Sequence, residues 1–279
     1  MKKLTKDSIK KLIKPRQVSS HKGNYGHSFL MVGSQGKMGA AVIAARACLR
    51  TGTGLLTVSV PHDERLILQI AIPEAMLVMR EKEEDNINGF TAIGIGCGIG
   101  TGKESTQMMS HLLSEYANEY AKPLVLDADA LNIISTHKNL LEKIPPNTIL
   151  TPHPKEFDRL FGVHKSVEER MKTAIKKALQ LQIVIVLKGH ETLITHAGNA
   201  FLNSTGNAGL AKGGSGDALT GIITALLSQN YEPFEAAKIG VYLHGLAADL
   251  ALEKQSFESM LITDVIEYLG QAFKAITCE

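Results

Sequence analysis

Short apolar runs alternate with longer helical stretches along this chain, and that alternation is the strongest restriction on its fold. Residues 183–187 are Ile, Val, Ile, Val and Leu, as expected of a strand that is buried on both faces. Further strands are predicted at residues 28–32, 55–60, 75–79, 92–95, 124–127 and 148–150. Helices are predicted at residues 39–51, 104–120, 154–161, 166–181, 214–227, 233–252 and 262–275. The pattern predicts an α/β fold in which helices cover both faces of a mostly parallel sheet.

Two shorter apolar runs, at residues 192–195 and 199–202, flank the turn Ala197-Gly198. We expect these two runs to form a hairpin at the edge of the sheet. The polar start of the chain, residues 1–20, is expected to form a short helix followed by a loop. Because no repeat or low-complexity linker interrupts the sequence, one domain over residues 1–279 is the simplest interpretation.

Charge and cysteine content restrict the class of protein. The formal net charge is +2 at pH 7, and the lysine-rich stretches at residues 10–14 and 172–177 are interpreted as solvated helix faces, which argues against a nucleic-acid partner. The first residues lack the apolar core of a signal peptide, and no run approaches the ~20 apolar residues that cross a bilayer. Cys48, Cys97 and Cys278 are too far apart to indicate a disulfide framework or a metal site. We therefore expect a cytoplasmic protein without a membrane partner.

The strongest functional signal is the turn at residues 213–217, Gly-Gly-Ser-Gly-Asp, which precedes a predicted helix. Its glycines allow successive backbone N–H groups to point inward, and the start of the helix adds the positive end of its dipole. This combination predicts an anion site. Asp217 then has two interpretations: it caps the helix, or it is a general base that takes a proton from a hydroxyl group attacking a bound phosphate.

Two further segments follow predicted strands, at the edge where open α/β sheets bind ligands. Lys188 follows the apolar run at 183–187, and a lysine there can neutralise phosphate. Residues 151–156 connect a strand to a helix, with Pro154 placed as the first helical residue. His153 is either a ligand contact or a loop histidine that is satisfied locally. Glu156 either interacts with the helix dipole or orders water around a Mg²⁺ ion that bound phosphates need.

Two common phosphate-binding motifs are excluded. The glycine-rich segment at residues 94–102 contains no G-x-G-x-x-G, because the sixth position falls on Ile99 or Thr101. Residues 33–38 lack the spacing and the Ser or Thr of a Walker loop. We expect this chain to bind phosphate through neither motif.

Taken in order, these segments resemble the NAD(P)H-hydrate dehydratases, a family of the ribokinase-like superfamily. The resemblance runs from about residue 20 to residue 250 and includes residues 20–26, 39–41, 50–55, 126–131, 150–157, 186–189 and 203–217. It implies a three-layer αβα sandwich with a mostly parallel central sheet and an edge hairpin.

The resemblance also implies a reaction. Members of this family use ADP or ATP to phosphorylate the ring hydroxyl of the S-epimer of hydrated NAD(P)H, and phosphate then leaves to restore the double bond. Such an enzyme is a hydro-lyase of nicotinamide cofactor repair, with Mg²⁺ as cofactor and a homotetramer as the usual assembly. Many bacterial relatives carry an epimerase domain, so an epimerase is the implied partner or fusion. The residues leave open the choice between ADP and ATP, and between NADH and NADPH hydrate.

The resemblance also implies a role for each residue that matches a motif of the family. Asp217 is the implied base, with Gly214 and Gly216 completing the catalytic set at the anion hole, where Ser215 stands in place of the family's frequent Thr. The implied nucleotide contacts are Lys188, Gly189, His190, Glu191, Thr192, Asn207, Gly213, Ser215 and Gly216, with Asn203 orienting the loop. The implied substrate contacts are Ala40, Ala41, Gly98, His153 and Asp217. Glu156 is implied to act on Mg²⁺ indirectly, through water.

Two alternatives stay open. A kinase of the same superfamily, acting on a small alcohol such as a vitamin precursor, would use the same anion hole and Asp217 but keep its phosphorylated product. The segments at residues 20–26 and 151–156 favour the dehydratase. A non-catalytic nucleotide-binding protein is the alternative from another class, and replacing Asp217 by Asn would leave its function unchanged.

Overall fold

A computed structural model of the protein describes residues 1–80, 87–116 and 122–278. Its strands are β1 (Lys2–Lys3), β2 (His27–Met31), β3 (Leu55–Val60), β4 (Met76–Met79), β5 (Ala92–Ile95), β6 (Leu124–Leu126), β7 (Ile149–Leu150), β8 (Val184–Leu187), β9 (Leu193–His196) and β10 (Asn199–Leu202). Each of the nine predicted strands is present, with ends that differ by at most one residue.

The described strands form one ten-stranded sheet in the order β1-β10-β9-β8-β7-β6-β5-β2-β3-β4. Strand β9 pairs antiparallel with both β8 and β10, and the remaining pairs are parallel. The mostly parallel sheet and its hairpin are therefore confirmed. Strand β1, which was not predicted, pairs with β10 on the outer side of the hairpin.

The helices are α1 (Lys6–Lys10), α2 (Met38–Thr51), α3 (Arg65–Ala71), α4 (Lys103–Tyr116), α5 (Asp129–Thr136), α6 (Pro154–Phe161), α7 (Val167–Gln180), α8 (Ser215–Ser228), α9 (Pro233–Ala251), α10 (Ile262–Glu267) and α11 (Leu269–Thr277). The prediction of one helix over residues 262–275 is wrong, because the chain forms α10 and α11 there. They separate at Tyr268, whose N–H is shared between the carbonyls of Asp264 and Val265. The predicted continuation of α4 at residues 117–120 lies outside the described residues.

Alternate side chains of the central strands enter different cores, which shows that helices cover both faces of the sheet. On β8, Val184 and Val186 pack in one core with residues of α8 and α9, such as Leu219. Ile185, between them, packs in the other core with residues of α4 to α7, such as Phe157. This is the three-layer arrangement that the sequence predicted.

Helix α8 is held at the centre of one layer by its contact with α2. Residues 218–228 are all buried. Gly221 lies so close to α2 that a Cβ atom at this position would collide with the carbonyl oxygen of Ala44. The packing therefore fixes where the first turn of α8 lies, which is at the carboxyl edge of the sheet. Within the described ranges, every helix is too short or too polar to cross a membrane.

Candidate active site

The segments that follow five parallel strands meet at one edge of the sheet, and backbone hydrogen bonds such as that from the N–H of Thr151 to the carbonyl of Leu126 continue beyond the strand ends to join them. The N–H of Gly33 donates to the carbonyl of Cys97 at 2.8 Å, and the N–H of Asp127 donates to that of Ile95 at 3.1 Å. The N–H of Lys188 donates to the carbonyl of Pro152 at 2.9 Å. The segments after β2, β5, β6, β7 and β8 therefore form one continuous surface.

A buried ion pair lies at the centre of this surface. Lys188 Nζ donates a hydrogen bond of 2.8 Å to Asp127 Oδ1, and Asp127 is only 1% exposed. Thr220 Oγ1, on α8, donates to the other carboxylate oxygen at 3.0 Å. Glu156 Oε2 lies 4.0 Å from the same ammonium group. Burial alone would lower the pKa of Lys188, but the charges of Asp127 and Glu156 outweigh it and raise that pKa, so Lys188 stays charged.

The predicted anion loop, residues 213–217, has a backbone conformation that depends on glycine. Gly214 is the N-cap of α8 and adopts a left-handed conformation, with φ 95° and ψ −17°. A Cβ atom there would also lie 2.7 Å from Ile43 Cδ1, so the position requires glycine. The first turn of α8 therefore begins with backbone N–H groups directed away from the helix, next to the positive end of its dipole.

The anion loop lies directly against the ion pair. A Cβ atom on Gly216 would be 3.2 Å from both Asp127 Oδ2 and Lys188 Nζ. The structure thus brings Gly213, Gly214, Ser215 and Gly216 together with Lys188, as the sequence predicted for a phosphate site. The Lys188 ammonium group therefore lies beside any anion that the backbone amides of the loop bind.

Asp217 does not cap the helix. It lies in the first turn of α8, whose N-cap is Gly214, and the cap makes no side-chain hydrogen bond. Burial raises the pKa of Asp217, and the negative charges of Asp127 and Asp129 raise it further, against a hydrogen bond from Cys97 and the charge of Lys188. A carboxylate with a raised pKa beside an anion site has the chemistry of a general base, so the structure favours that interpretation over the cap.

His153 and Glu156 partner each other at the start of α6. The N–H of Glu156 donates to His153 Nδ1 at 3.1 Å, and the N–H of His153 donates to Glu156 Oε2 at 2.8 Å. Burial lowers the pKa of His153, which is therefore neutral at pH 7. His153 is thus satisfied locally, yet 43% of its side chain is exposed, and substrate contact stays a prediction.

The segment after Lys188 forms an exposed turn. The N–H of Gly189 and the hydroxyl of Thr192 approach each other at 3.4 Å. His190 is exposed on this turn, and Glu191 pairs with Lys3 of β1 at 3.2 Å. The turn lies at the carboxyl end of β8, beside the ion pair, so the structure brings the predicted nucleotide segment to the anion loop.

The loop that leads into the glycine-rich turn is shaped by two asparagines. Asn203 Nδ2 donates to the carbonyl of Thr205 at 2.8 Å. Asn207 Nδ2 donates to Asp249 Oδ1 at 3.0 Å, and Asn207 Oδ1 accepts from the N–H of Gly209 at 3.0 Å. Both side chains orient this loop, and a direct contact between Asn207 and nucleotide stays a prediction.

Three of the predicted substrate residues, Ala40, Ala41 and Gly98, lie around the start of α2. A Cβ atom on Gly98 would be 3.0 Å from the Cβ of Ala40, so these two residues are in contact at the start of α2. Ala41 is fully buried against Gly33, and its contact with substrate stays a prediction. Cys97 is also close to Asp217, and its thiol is one of the groups that lower the pKa of the Asp217 carboxylate. Burial raises the pKa of Cys97, so the group remains a thiol.

Three functional groups were not singled out from the sequence: Asp127, Thr220 and Cys97. Asp127 lies at the end of a buried strand, and an acidic residue in that place was a usable signal. Thr220 and Cys97 carried no such signal, since each stands within an apolar or glycine-rich stretch. Together with the anion loop and Asp217, these groups form a candidate phosphate site at the carboxyl edge of a helix-covered parallel sheet. That arrangement defines a ribokinase-like α/β protein.

Comparison with known proteins identifies the family. A family model described as NAD(P)H-hydrate dehydratase matches residues 28–271. The ADP-dependent (S)-NAD(P)H-hydrate dehydratase of Neisseria meningitidis is 38% identical, over 91% of this chain and 87% of that protein. The ADP/ATP-dependent NAD(P)H-hydrate dehydratase of Bacillus subtilis, co-crystallized with ATP/Mg²⁺, superposes with a TM-score of 0.86 at 33% identity, over 99% of this chain and 98% of that one. The chain belongs to the NAD(P)H-hydrate dehydratase family.

Some relatives are longer. The bifunctional NAD(P)H-hydrate repair enzyme Nnr of Moorella thermoacetica is 35% identical over 91% of this chain. This chain spans 50% of the length of that protein.

Proposed function

We propose that this protein is an ADP- or ATP-dependent dehydratase that converts the S-epimer of hydrated NAD(P)H back to NAD(P)H. The observation that carries the proposal is the position of Asp217, a carboxylate of raised pKa in the first turn of α8, beside the anion loop and Lys188. The relatives named above support the choice of substrate and of phosphoryl donor.

In the first step, Asp217 takes the proton of the ring hydroxyl as the hydroxyl oxygen attacks the terminal phosphoryl group of the nucleotide. A bond forms between that oxygen and phosphorus, and the bond to the bridging oxygen of the nucleotide breaks. The backbone amides at residues 213–216 and the Lys188 ammonium stabilise the negative charge that passes between the two.

In the second step, phosphate leaves the ring carbon as the ring nitrogen donates electrons. Loss of a proton from the neighbouring carbon restores the double bond. Phosphorylation makes this step possible, because hydroxide is a poor leaving group and phosphate is a good one. We place the hydrated ring between Asp217 and the segments of Gly98, Ala40 and His153, with nucleotide along residues 188–192 and Asn207.

The residues present fit an indirect role in holding Mg²⁺. This ion keeps several waters and binds proteins through one or two carboxylates together with substrate phosphates. Glu156 and Asp127 supply two carboxylates on either side of Lys188, whereas the described residues contain no group of three or more His, Cys, Asp or Glu suited to a metal. Glu156 would therefore act through water. The ion would neutralise charge on the nucleotide phosphates.

Four further properties remain predictions of this proposal: a single domain over residues 1–279, a cytoplasmic location, a homotetramer, and an epimerase that supplies the S-epimer. An epimerase would complement this reaction, since the dehydratase consumes one of two epimers.

The test is to mix the protein with chemically prepared NADH hydrate, Mg²⁺ and either ADP or ATP, and to follow the near-ultraviolet absorbance of the dihydronicotinamide ring. We expect absorbance to return only when nucleotide is present, with the faster nucleotide identifying the donor. If absorbance stays flat while nucleotide is consumed with a small alcohol, the protein is a kinase and the proposal is wrong.

A further inference from the structure

Asp127 contacts three parts of the site, yet the reaction described above gives it no chemical step. We propose that Asp127 is a positioning residue. It holds the Lys188 ammonium group against the anion loop, and it holds the first turns of α8 in a fixed position relative to that ammonium group. The inference deepens the proposed function and rests on it.

The two oxygens of the Asp127 carboxylate bind two different elements. Oδ1 accepts from Lys188 Nζ at 2.8 Å, at the end of β8, and Oδ2 accepts from Thr220 Oγ1 at 3.0 Å, on α8. Thr220 is four residues after Gly216, so both lie on the same side of the helix. The carboxylate therefore connects the end of β8 to the side of α8 that carries the anion loop.

The ion pair determines where the ammonium lies relative to the loop. Because Asp127 Oδ2 and Lys188 Nζ are each 3.2 Å from the place of a Cβ on Gly216, the pair forms the surface against which the loop backbone packs. A lysine side chain has several rotatable bonds and is not held in one place by its own stem. Without the Asp127 carboxylate, the remaining acidic neighbour of Lys188 in the described part of the chain is Glu156, at 4.0 Å.

Asp127 also acts on the base through charge. The titratable groups that face Asp217 are Cys97 after β5, Asp127 after β6, Asp129 at the start of α5 and Lys188 after β8. The charge of Asp127 raises the pKa of Asp217, and the charge of Lys188 lowers it. Removing the Asp127 charge therefore lowers the pKa of Asp217. A base of lower pKa stays ionised to lower pH.

The first variant is Asp127→Asn, which keeps the shape of the side chain and removes its charge. We expect kcat to fall by about 10–100-fold, as is usual when a reacting group is misplaced by a fraction of an ångström to an ångström. We also expect a shift in the pH dependence of kcat: the fall of kcat on the acid side (the acid limb) should occur at lower pH than in the wild type. The affinity for ADP with Mg²⁺, measured by calorimetry, should fall as well, because the ammonium is no longer held at the loop.

Three variants make the result specific. Asp127→Glu keeps the charge but moves it, so it should lose kcat while its acid limb stays close to that of the wild type. Thr220→Val removes the hydrogen bond to Oδ2 but keeps the ion pair, and should lose less kcat than Asp127→Asn without a shift of the limb. Asp158→Asn breaks a comparable ion pair with Arg170, at 2.7 Å between α6 and α7, and should lower stability but leave kcat unchanged.

The inference is overturned if folded Asp127→Asn retains both the wild-type acid limb and the wild-type affinity for ADP. It is overturned equally if Asp127→Asn and Asp158→Asn lose activity only in proportion to the fraction of protein that unfolds. If Asp127→Asn does not fold, Asp127→Glu and Thr220→Val decide by kcat, and a wild-type kcat in both overturns the inference. A wild-type protein that binds ADP but does not dehydrate NADH hydrate defeats the proposed function, while the effect on ADP affinity still tests Asp127.

Discussion

The first turn of α8 and the turns that follow it belong to one helix, but they differ in almost every physical respect. The first turn is partly exposed, follows a left-handed glycine at Gly214, and carries the carboxylate of Asp217. Residues 218–228 are buried throughout, and Gly221 packs against the backbone of α2 at Ala44.

The comparison shows how a reactive group is held where its surroundings disfavour it. Burial and neighbouring carboxylates raise the pKa of Asp217, which means that the fold makes its ionised form less stable than it is in water. The apolar turns of the same helix supply packing that keeps the group in place. We therefore expect the first turn to carry the reactive group and the buried turns to supply most of the packing, and Asp217→Asn and Gly221→Ala test these two expectations.

The largest effect is expected at the base. Asp217→Asn should lower kcat by about 10²–10⁴-fold, the usual contribution of a general base, because Asn cannot take the proton of the ring hydroxyl. Its free energy of unfolding, measured in urea at neutral pH, should equal or exceed that of the wild type, since a disfavoured charge is removed. A variant that keeps kcat within tenfold of the wild type would show that Asp217 is not the base.

A smaller effect, on stability instead of activity, is expected in the packed turns. Gly221→Ala adds a Cβ atom that collides with Ala44 and should lower the free energy of unfolding by about 1–3 kcal/mol. The variant Gly270→Ala is the matched control, because in the described structure the added Cβ meets nothing within 4 Å beyond its chain neighbours and the backbone of its own helix. There the change should raise stability by about 0.5–1 kcal/mol, as alanine does in a helix. Equal effects at the two glycines would contradict the close contact between α2 and α8.

The smallest effect concerns pH. The folded pKa of Asp217 is raised, so the folded protein binds more protons than the unfolded chain and loses stability as pH rises through that pKa. The stability advantage of Asp217→Asn over the wild type should therefore grow with pH and vanish in acid.

Asp158 is a control, because its pKa is shifted in the direction opposite to that of Asp217. The hydrogen bond from Arg170 lowers the pKa of Asp158, so its ionised form stabilises the fold above its unfolded pKa and loses that contribution in acid. The stability deficit of Asp158→Asn should thus be present at neutral pH and disappear as pH falls. If both variants changed with pH in the same direction, the raised pKa of Asp217 would be wrong. Thermal unfolding at several pH values measures both.

Much of the fold was predictable because strands of a buried parallel sheet leave a continuous apolar run, and β8 is an example at residues 184–187. Helix α5 was missed because its start carries no standard cap: it follows Ala128, which has a φ of 49° and makes no capping bond. The break at Tyr268 was missed because both sides of it continue the same apolar pattern.

The sequence by itself predicted the glycine-rich loop at residues 213–217 and the placement of Lys188 after a buried strand, since each depends on neighbours a few residues away. Only the tertiary structure decided that Asp127 joins them. Its partners are distant in the chain, Lys188 by 61 residues and Thr220 by 93 residues. No local pattern records such a contact, because strand order and helix packing bring these groups together. The raised pKa of Asp217 has the same origin, since burial and the charges of Asp127 and Asp129 produce it.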